Sequence, residues 1–388
     1  MKHGLNAFAI FLLVGCSAGD PQAADAGLHP GKRDSGIERY ASEHGKVSVE
    51  TIAHGLEHPW GLAFLPDGRM LVTERPGRLR IVGADGEVSA PLTGLPDIAD
   101  AGQGGLLDVA LDPAFATNRL VYLSFSEPGE GGAGTSVFRG RLGERGLESG
   151  EIVFRQEPKL EGAKHFGSRL VFDRAGHLYI TVGDRMNWPN VQRLDRGQGK
   201  IFRIWPDGRI PDDNPFVGQN DVNPAIWSFG HRNSQGAALN PFSGELWQTE
   251  HGARGGDELN IPRAGRNYGW PIITLGVNYN GDPIGSGKSE MPGMEQPIHY
   301  WTPSIAPSGL AFYTSDRFPA WKGNLFVGAL AHHKLVRLSI DGDRVVGQEI
   351  LLEDMGRRIR DVRQGPDGYL YLLTDEDDGR VLKVGLAP

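Results

Sequence analysis

The chain of 388 residues contains a single cysteine, Cys16. A disulfide within the chain needs two thiols, and a cysteine zinc cluster or a haem-attachment motif needs more than one, so all three are excluded. Sustained apolar spacing of 3.6 residues is scarce, which argues against a helical architecture. Long apolar runs are missing as well. The N-terminal run from Ala7 to Val14 is too short to cross a bilayer. Positive charge is in deficit, with 40 Lys and Arg against 48 Asp and Glu and a net charge of -8. No nucleic acid or anionic membrane surface is therefore expected as a main partner. The common nucleotide and nucleophile motifs fail too. Gly129 to Gly134 spells G-x-G-x-x-G but sits in a loop between strands with no helix after it, and Gly281 to Ser289 misses the P-loop spacing by one residue. There is no G-x-S-x-G elbow.

What the chain does hold is glycine (56) and proline (26), both of which punctuate turns, so many short strands are expected. Lys2 and His3 ahead of the apolar run, followed by Leu13-Val14-Gly15-Cys16, resemble a bacterial lipoprotein signal in which the cysteine is lipidated and becomes the new N-terminus. An ordinary secretory signal is the alternative, and both take the protein out of the cytoplasm. Ser17 after the cysteine favours the outer membrane, facing the periplasm, with Cys16 as the only membrane attachment. The expected organisation is a signal over residues 1–16, a flexible tether over 17–45 and one catalytic domain over 46–388.

From residue 46 one pattern recurs: an apolar strand, a turn with Pro or Asp and Gly, and a second strand ending in a polar residue. Copies begin at Gly61, Gly105, Ser168, Gly236, Gly309 and Arg360, roughly 45 to 75 residues apart. Alternating β-branched and aromatic residues with turns of the Asp-Gly kind make each copy a hairpin. This predicts an all-β fold, a six-bladed β-propeller of four-stranded antiparallel sheets. Val47–Ala53 has no hairpin partner, and Arg380–Val384 reads as a third strand of the sixth blade. Pairing the two would close the ring and remove an open edge. In each copy the second strand is read as following a loop with unusual polar residues. Such loops gather near the axis, where Gln103, His165, Asp184, Arg232, Asn233 and Arg360 are expected to meet.

His165 stands directly before a strand, and Asp184 ends the partner strand of the same hairpin. A carboxylate there would hold the imidazole tautomer and raise its basicity, as general-base work on an alcohol requires. Gln103 lies between glycines that permit close backbone approach to a planar ligand. Arg358 and Arg360 fall on one side of a strand, an arrangement suited to carboxylates. Asp257 and Glu258, with Tyr268 ten residues after Glu258, permit a hard cation held by a carboxylate and a backbone carbonyl. The stretch Ser228–Pro271, with Arg232, Asn233 and the acidic glycine-rich turn Gly252–Glu258, combines a guanidinium, an amide, flexible backbone and carboxylates. That combination suits an anionic, metal-bound cofactor.

With HPWGLAF, GQGGLLD, HFGSRLVF, SFGHRNSQG, EHGARGGDELNI, NYGWP and RIRDVRQGPDGYLY in this order, the chain resembles the soluble quinoprotein aldose dehydrogenases of the glucose/sorbosone dehydrogenase family from about Val47 to Val384. The resemblance implies a six-bladed propeller that binds pyrroloquinoline quinone (PQQ) and calcium and oxidises the C1 hydroxyl of aldose sugars to lactones. His165 is then the general base, Asp184 its support and Arg232 the stabiliser of charge on the quinone oxygen, with C1 delivering hydride to the quinone C5. Gln103, Arg232, Asn233, Tyr279, Ala329, Leu330, Ala331, Arg358, Ile359 and Arg360 become cofactor contacts. Gly252 and Ala253 supply carbonyls to the calcium beside PQQ, and Glu258 with Tyr268 form a second, structural calcium site. Without a haem motif, electrons must pass to an external acceptor.

There are departures from the family. Ala331 replaces a common lysine, unless Lys334 reaches back to supply the charge. Lys164 replaces a short residue and should lower the pKa of His165. Ala253 replaces a proline. Monomer and homodimer both stay open. Two other readings remain: a calcium-dependent sugar lactonase, which needs a metal ringed by side-chain carboxylates, and a non-catalytic binding propeller.

Overall fold

The computed structural model of the protein describes residues 36–387. The expected signal over residues 1–16, Cys16 and the tether up to residue 35 lie outside the described residues. Each of the six predicted hairpins forms. Their first strands are Pro59–Phe64, Leu106–Leu111, Gly167–Phe172, Ser234–Leu239, Pro307–Phe312 and Ile359–Gln364. These line the axis, and each packs against the first strand of the next blade, the sixth against the first. The ring is a six-bladed β-propeller.

Blades 2 to 5 are four-stranded antiparallel sheets. Blade 1 has three strands, and its fourth is reduced to a bridge between Val82 and Val88. In blade 6, Gly45–Leu56 pairs antiparallel with Gly379–Leu386, so the two ends of the chain close the ring as expected. Ile37–Ser42 then adds a fifth strand through the turn at Glu43-His44. The regular fold therefore begins nine residues before the expected boundary at 46, and residues 37–45 are not tether. The G-x-G-x-x-G stretch is the tight turn joining Leu120–Gly129 to Gly132–Leu142.

The strands are buried on both faces because each blade is sandwiched between two others, so clusters of Leu, Val, Ile and aromatic residues fill the gaps between successive sheets. Every first strand carries a register irregularity near its start. A bulge re-aims side chains, and here the bulged positions bring polar groups into the channel.

Midway along the channel, Arg169 is 1% exposed and lies 3.1 Å from Asp108 and 3.0 Å from Asp361. Arg363 bridges the same two carboxylates, at 2.8 Å to each. Two cations and two anions thus form a neutral plug. Gly309 is required beside it, since a Cβ there would stand 2.2 Å from Asp361 Oδ1. Below the plug lies an apolar cavity of about 430 Å³, lined by Phe64, Leu111, Leu239, Phe312 and Arg363 among others.

Candidate active site

Above the plug two cavities adjoin, sharing Gln103, His251, Ala306 and Ala331 in their walls. One, of about 610 Å³, is lined by His165, Arg232, Gly252, Ala253 and Tyr279. The other, of about 480 Å³, is lined by His58, Trp60, Arg75, Leu330, Arg358, Arg360 and Asp375. Residues from all six blades and their connections meet here. Their placement within each repeat differs from the expectation. Most sit just before or at the start of the first strand or after the second, at the opposite end of the hairpin from the loop that joins the two.

His165 is held from several sides. Its Nδ1 lies 2.7 Å from Asp184 Oδ1, and its backbone N–H donates to the Gln103 side chain at 2.8 Å. Asp184 is fully buried, and its second oxygen accepts from the Trp270 indole N–H at 2.8 Å. With Nδ1 committed to the carboxylate, Nε2 is the nitrogen left to take a proton. Burial holds the His165 pKa below the ordinary histidine value. The Asp184 hydrogen bond opposes this, and the Arg232 and Lys164 charges add to the lowering. The expected effect of Lys164 is thus present, but burial is its larger companion.

The backbone at His165 is left-handed, with φ 58°, as it is at Arg185 (52°) and Met186 (58°). Three such non-glycine residues around one dyad store strain that the surroundings must restrain. Gly183 allows the crossing, because a Cβ there would fall 2.1 Å from the His165 carbonyl oxygen. Arg185 supplies further restraint. Its guanidinium donates to the carbonyls of Lys164, Gly162 and Leu160 and lies 3.6 Å from the centre of the Phe166 ring.

Arg232 anchors its backbone N–H on Glu250 at 2.5 Å and its Nη1 on the carbonyls of His251 (3.0 Å) and Gly252 (2.5 Å). Its Nε is buried with no hydrogen-bond partner among the described residues. Glu250 is in turn fixed by His231 at 3.0 Å, so a buried network aims this guanidinium. Arg360 is similar: Nη1 donates to Gln235 (2.6 Å), Nη2 to Asp375 (2.7 Å), and Nε is orphaned. Asp375 accepts from Arg360 and lies 2.8 Å from His58 Nδ1 and 3.6 Å from Arg358. Burial raises its pKa, but Arg360 and His58 outweigh this and hold it well below the usual carboxylate range. Hydrogen bonding to Asp375 raises the His58 pKa.

Several expected site residues lie elsewhere. Asn233 is buried behind the cavity, where its Oδ1 accepts from the Gly167 N–H at 3.1 Å. Ala329 and Ile359 belong to the apolar cores between blades, where their side chains are fully buried. Lys334 does not reach back, because it turns to Glu353 at 3.6 Å. Glu258 lies against Glu250 and Asn260, with its pKa raised to about 8 by burial and the Glu250 charge, while Tyr268 stacks on His231. Neither lines the cavities above the plug. Sequence reasoning passed over His58, Trp60, Arg75, Arg185, His251, Trp270 and Asp375. His58, Trp60, His251 and Trp270 stand inside the quoted motifs HPWGLAF, EHGARGGDELNI and NYGWP.

The glucose/sorbosone dehydrogenase model matches residues 56–383. The chain is 52% identical over 343 residues to the aldose sugar dehydrogenase YliI of Escherichia coli K12, covering 87% of this chain and 92% of that one. It is similar to the crystal structure of the soluble aldose sugar dehydrogenase from Escherichia coli in the apo-form, with a TM-score of 0.86, 51% identity and coverage of 88% and 100%. The PQQ-bound form of the aldose sugar dehydrogenase from Streptomyces coelicolor matches with a TM-score of 0.72, 29% identity and coverage of 90% and 100%. The chain belongs to the glucose/sorbosone dehydrogenase family.

Proposed function

We propose that the protein is an aldose sugar dehydrogenase that uses PQQ and calcium to oxidise the C1 hydroxyl of cyclic aldoses to lactones. The observation that carries this reading is the juxtaposition of a buried His165–Asp184 dyad with a cavity whose charged walls are mostly guanidinium. The residues present fit the cofactor. Arg358 and Arg360 share one cavity, suited to carboxylates, and the buried Nε atoms of Arg232 and Arg360 lack partners that an anionic ligand would provide. The carbonyls of Ala253 and of Gly252, the latter with the lone pair that Arg232 does not engage, are hard but neutral donors for calcium, which takes six to eight oxygens. Such a pair is completed only by further oxygens, as an anionic cofactor carries.

When bound, PQQ supplies a two-electron acceptor for hydride. The chain supplies the rest. His165 Nε2 removes the proton of the sugar hydroxyl, Asp184 stabilises the imidazolium that results, and Arg232 presents positive charge where negative charge develops. Gln103 fixes the His165 backbone, and Tyr279, largely exposed at the cavity wall, offers a face to the sugar. Electrons then leave to an external acceptor. The N-terminal reading is part of the same proposal: export to the periplasm with Cys16 lipidated at the outer membrane.

The decisive experiment adds PQQ and calcium to purified apo-protein and measures dye reduction with glucose. Activity that needs both additions supports the reading. Hydrolysis of gluconolactone without PQQ would instead make the protein a lactonase, and no activity of either kind would leave a binding propeller. Among the described residues no cluster of three or more His, Cys, Asp or Glu is placed to hold a metal, which favours the dehydrogenase over the lactonase.

A further inference from the structure

The cofactor cavity carries more positive charge than the family assignments use. Its charged lining residues are Arg75, Arg358 and Arg360 with the single carboxylate Asp375, and His58 beside it. Asp375 is fully engaged by Arg360, Arg358 and His58, so it does not neutralise Arg75. Arg75 follows the second strand of blade 1 and lines the same cavity as the blade 6 pair, with its backbone N–H donating to the His58 carbonyl at 3.1 Å. Its guanidinium donates from Nη1 to the Gly102 carbonyl, and among the described residues no carboxylate lies within ion-pair distance of it. Blade 5 brings no compensating cation of its own, since Ala331 lines the wall and Lys334 turns away to Glu353. An unpaired guanidinium held by a backbone carbonyl inside a cavity is a ready anion anchor: one edge is fixed and the other is free to donate.

We propose that Arg75 binds a carboxylate of the cofactor, as a third cationic anchor, supplied by blade 1, in the cavity that Arg358 and Arg360 of the adjoining blade 6 also line. The proposal rests on the assignment of PQQ, whose ring system bears three carboxylates. Arg358 and Arg360 both come from around the start of one strand of blade 6, and Arg75 would meet, from blade 1, a carboxylate that they leave free. Charge absent from blade 5 at Ala331 is thereby supplied from blade 1.

The test is equilibrium binding of PQQ to the purified apo-protein with calcium, read as bound cofactor by ultrafiltration and absorbance, with no turnover involved. Arg75→Met is expected to weaken PQQ binding about 10- to 100-fold, the worth of one charged hydrogen-bonding partner, with the melting temperature of the apo-protein nearly unchanged. Arg75→Lys keeps the charge without the fork and is expected to fall between the two, at least about threefold weaker than the parent. If the methionine variant does not fold, the lysine variant decides alone. Parental affinity in a folded Arg75→Met, or in Arg75→Lys when only that variant folds, overturns the inference while leaving the dehydrogenase reading intact. Failure of the parent protein itself to bind PQQ overturns that reading, and the inference with it.

Discussion

Two sets of arginines and aspartates lie one above the other along the same channel. In the plug, Arg169 and Arg363 face Asp108 and Asp361, charges cancel, and the guanidinium of Arg363 is held firmly protonated by both carboxylates. In the cavity above, three guanidiniums face one carboxylate and open to solvent. The chemistry of the side chains is the same, so the balance of charge is what separates a lock from a binding site. A neutral, closed quartet has nothing to offer a ligand. A surplus of cations around a cavity is a standing demand for an anion.

The sharpest break of this comparison is at the dyad, which belongs to the open half. His165→Ala is expected to cost about 10²- to 10⁴-fold in dye-linked turnover, the range for losing a general base, while PQQ still binds. Near-parental turnover removes His165 from the mechanism. In the closed half, Arg169→Met leaves Asp108 and Asp361 with Arg363 alone. We expect a loss of about 3–5 kcal/mol in urea unfolding, as for a broken buried ion pair. A loss below about 1 kcal/mol would mean that the plug does not lock the ring.

Smaller effects follow. Asp184→Asn should reduce kcat about 10- to 100-fold, as when a functional imidazole loses the group that orients it. The pH profile sharpens this. His165 works neutral and its pKa is already below 6.5, so the acid limb of kcat/KM should lie below that value. Removing the carboxylate that raises the pKa should shift the limb to still lower pH, and an upward shift contradicts the geometry. Arg185→Lys is expected to be mildest, a several-fold fall in kcat with KM unchanged, because it loosens the backbone beneath His165 without touching substrate.

Much of this was legible in the sequence. Hairpin punctuation recurs often enough to count the blades, and Val47–Ala53 without a local partner pointed to the closing pair. His165 with Asp184 was legible because strand ends of one hairpin must be neighbours. What stayed hidden depended on orientation. A bulge at the start of each first strand decides which residues face the channel; alternation had put Arg358 and Arg360 on one side, but not that Ile359 between them is thereby given to the core rather than to the cavity. Asn233 follows Arg232 by one residue, but its Oδ1 is taken by the Gly167 N–H. Arg75 and Arg185 carried no signal beyond their charge, since their importance comes from what they lack or touch across blades. Ile37–Ser42 was misread because its polar, exposed residues pair with a strand whose own burial is supplied by the far end of the chain.

That last pairing has a temporal consequence. Gly45–Leu56 is made early, directly after Ile37–Ser42, and Gly379–Leu386 late, yet they are neighbours in one sheet. Throughout synthesis that early strand must wait without its C-terminal mate. A chain shortened by even its final eight residues would present an open-ended horseshoe with two sticky margins to whatever quality control it meets.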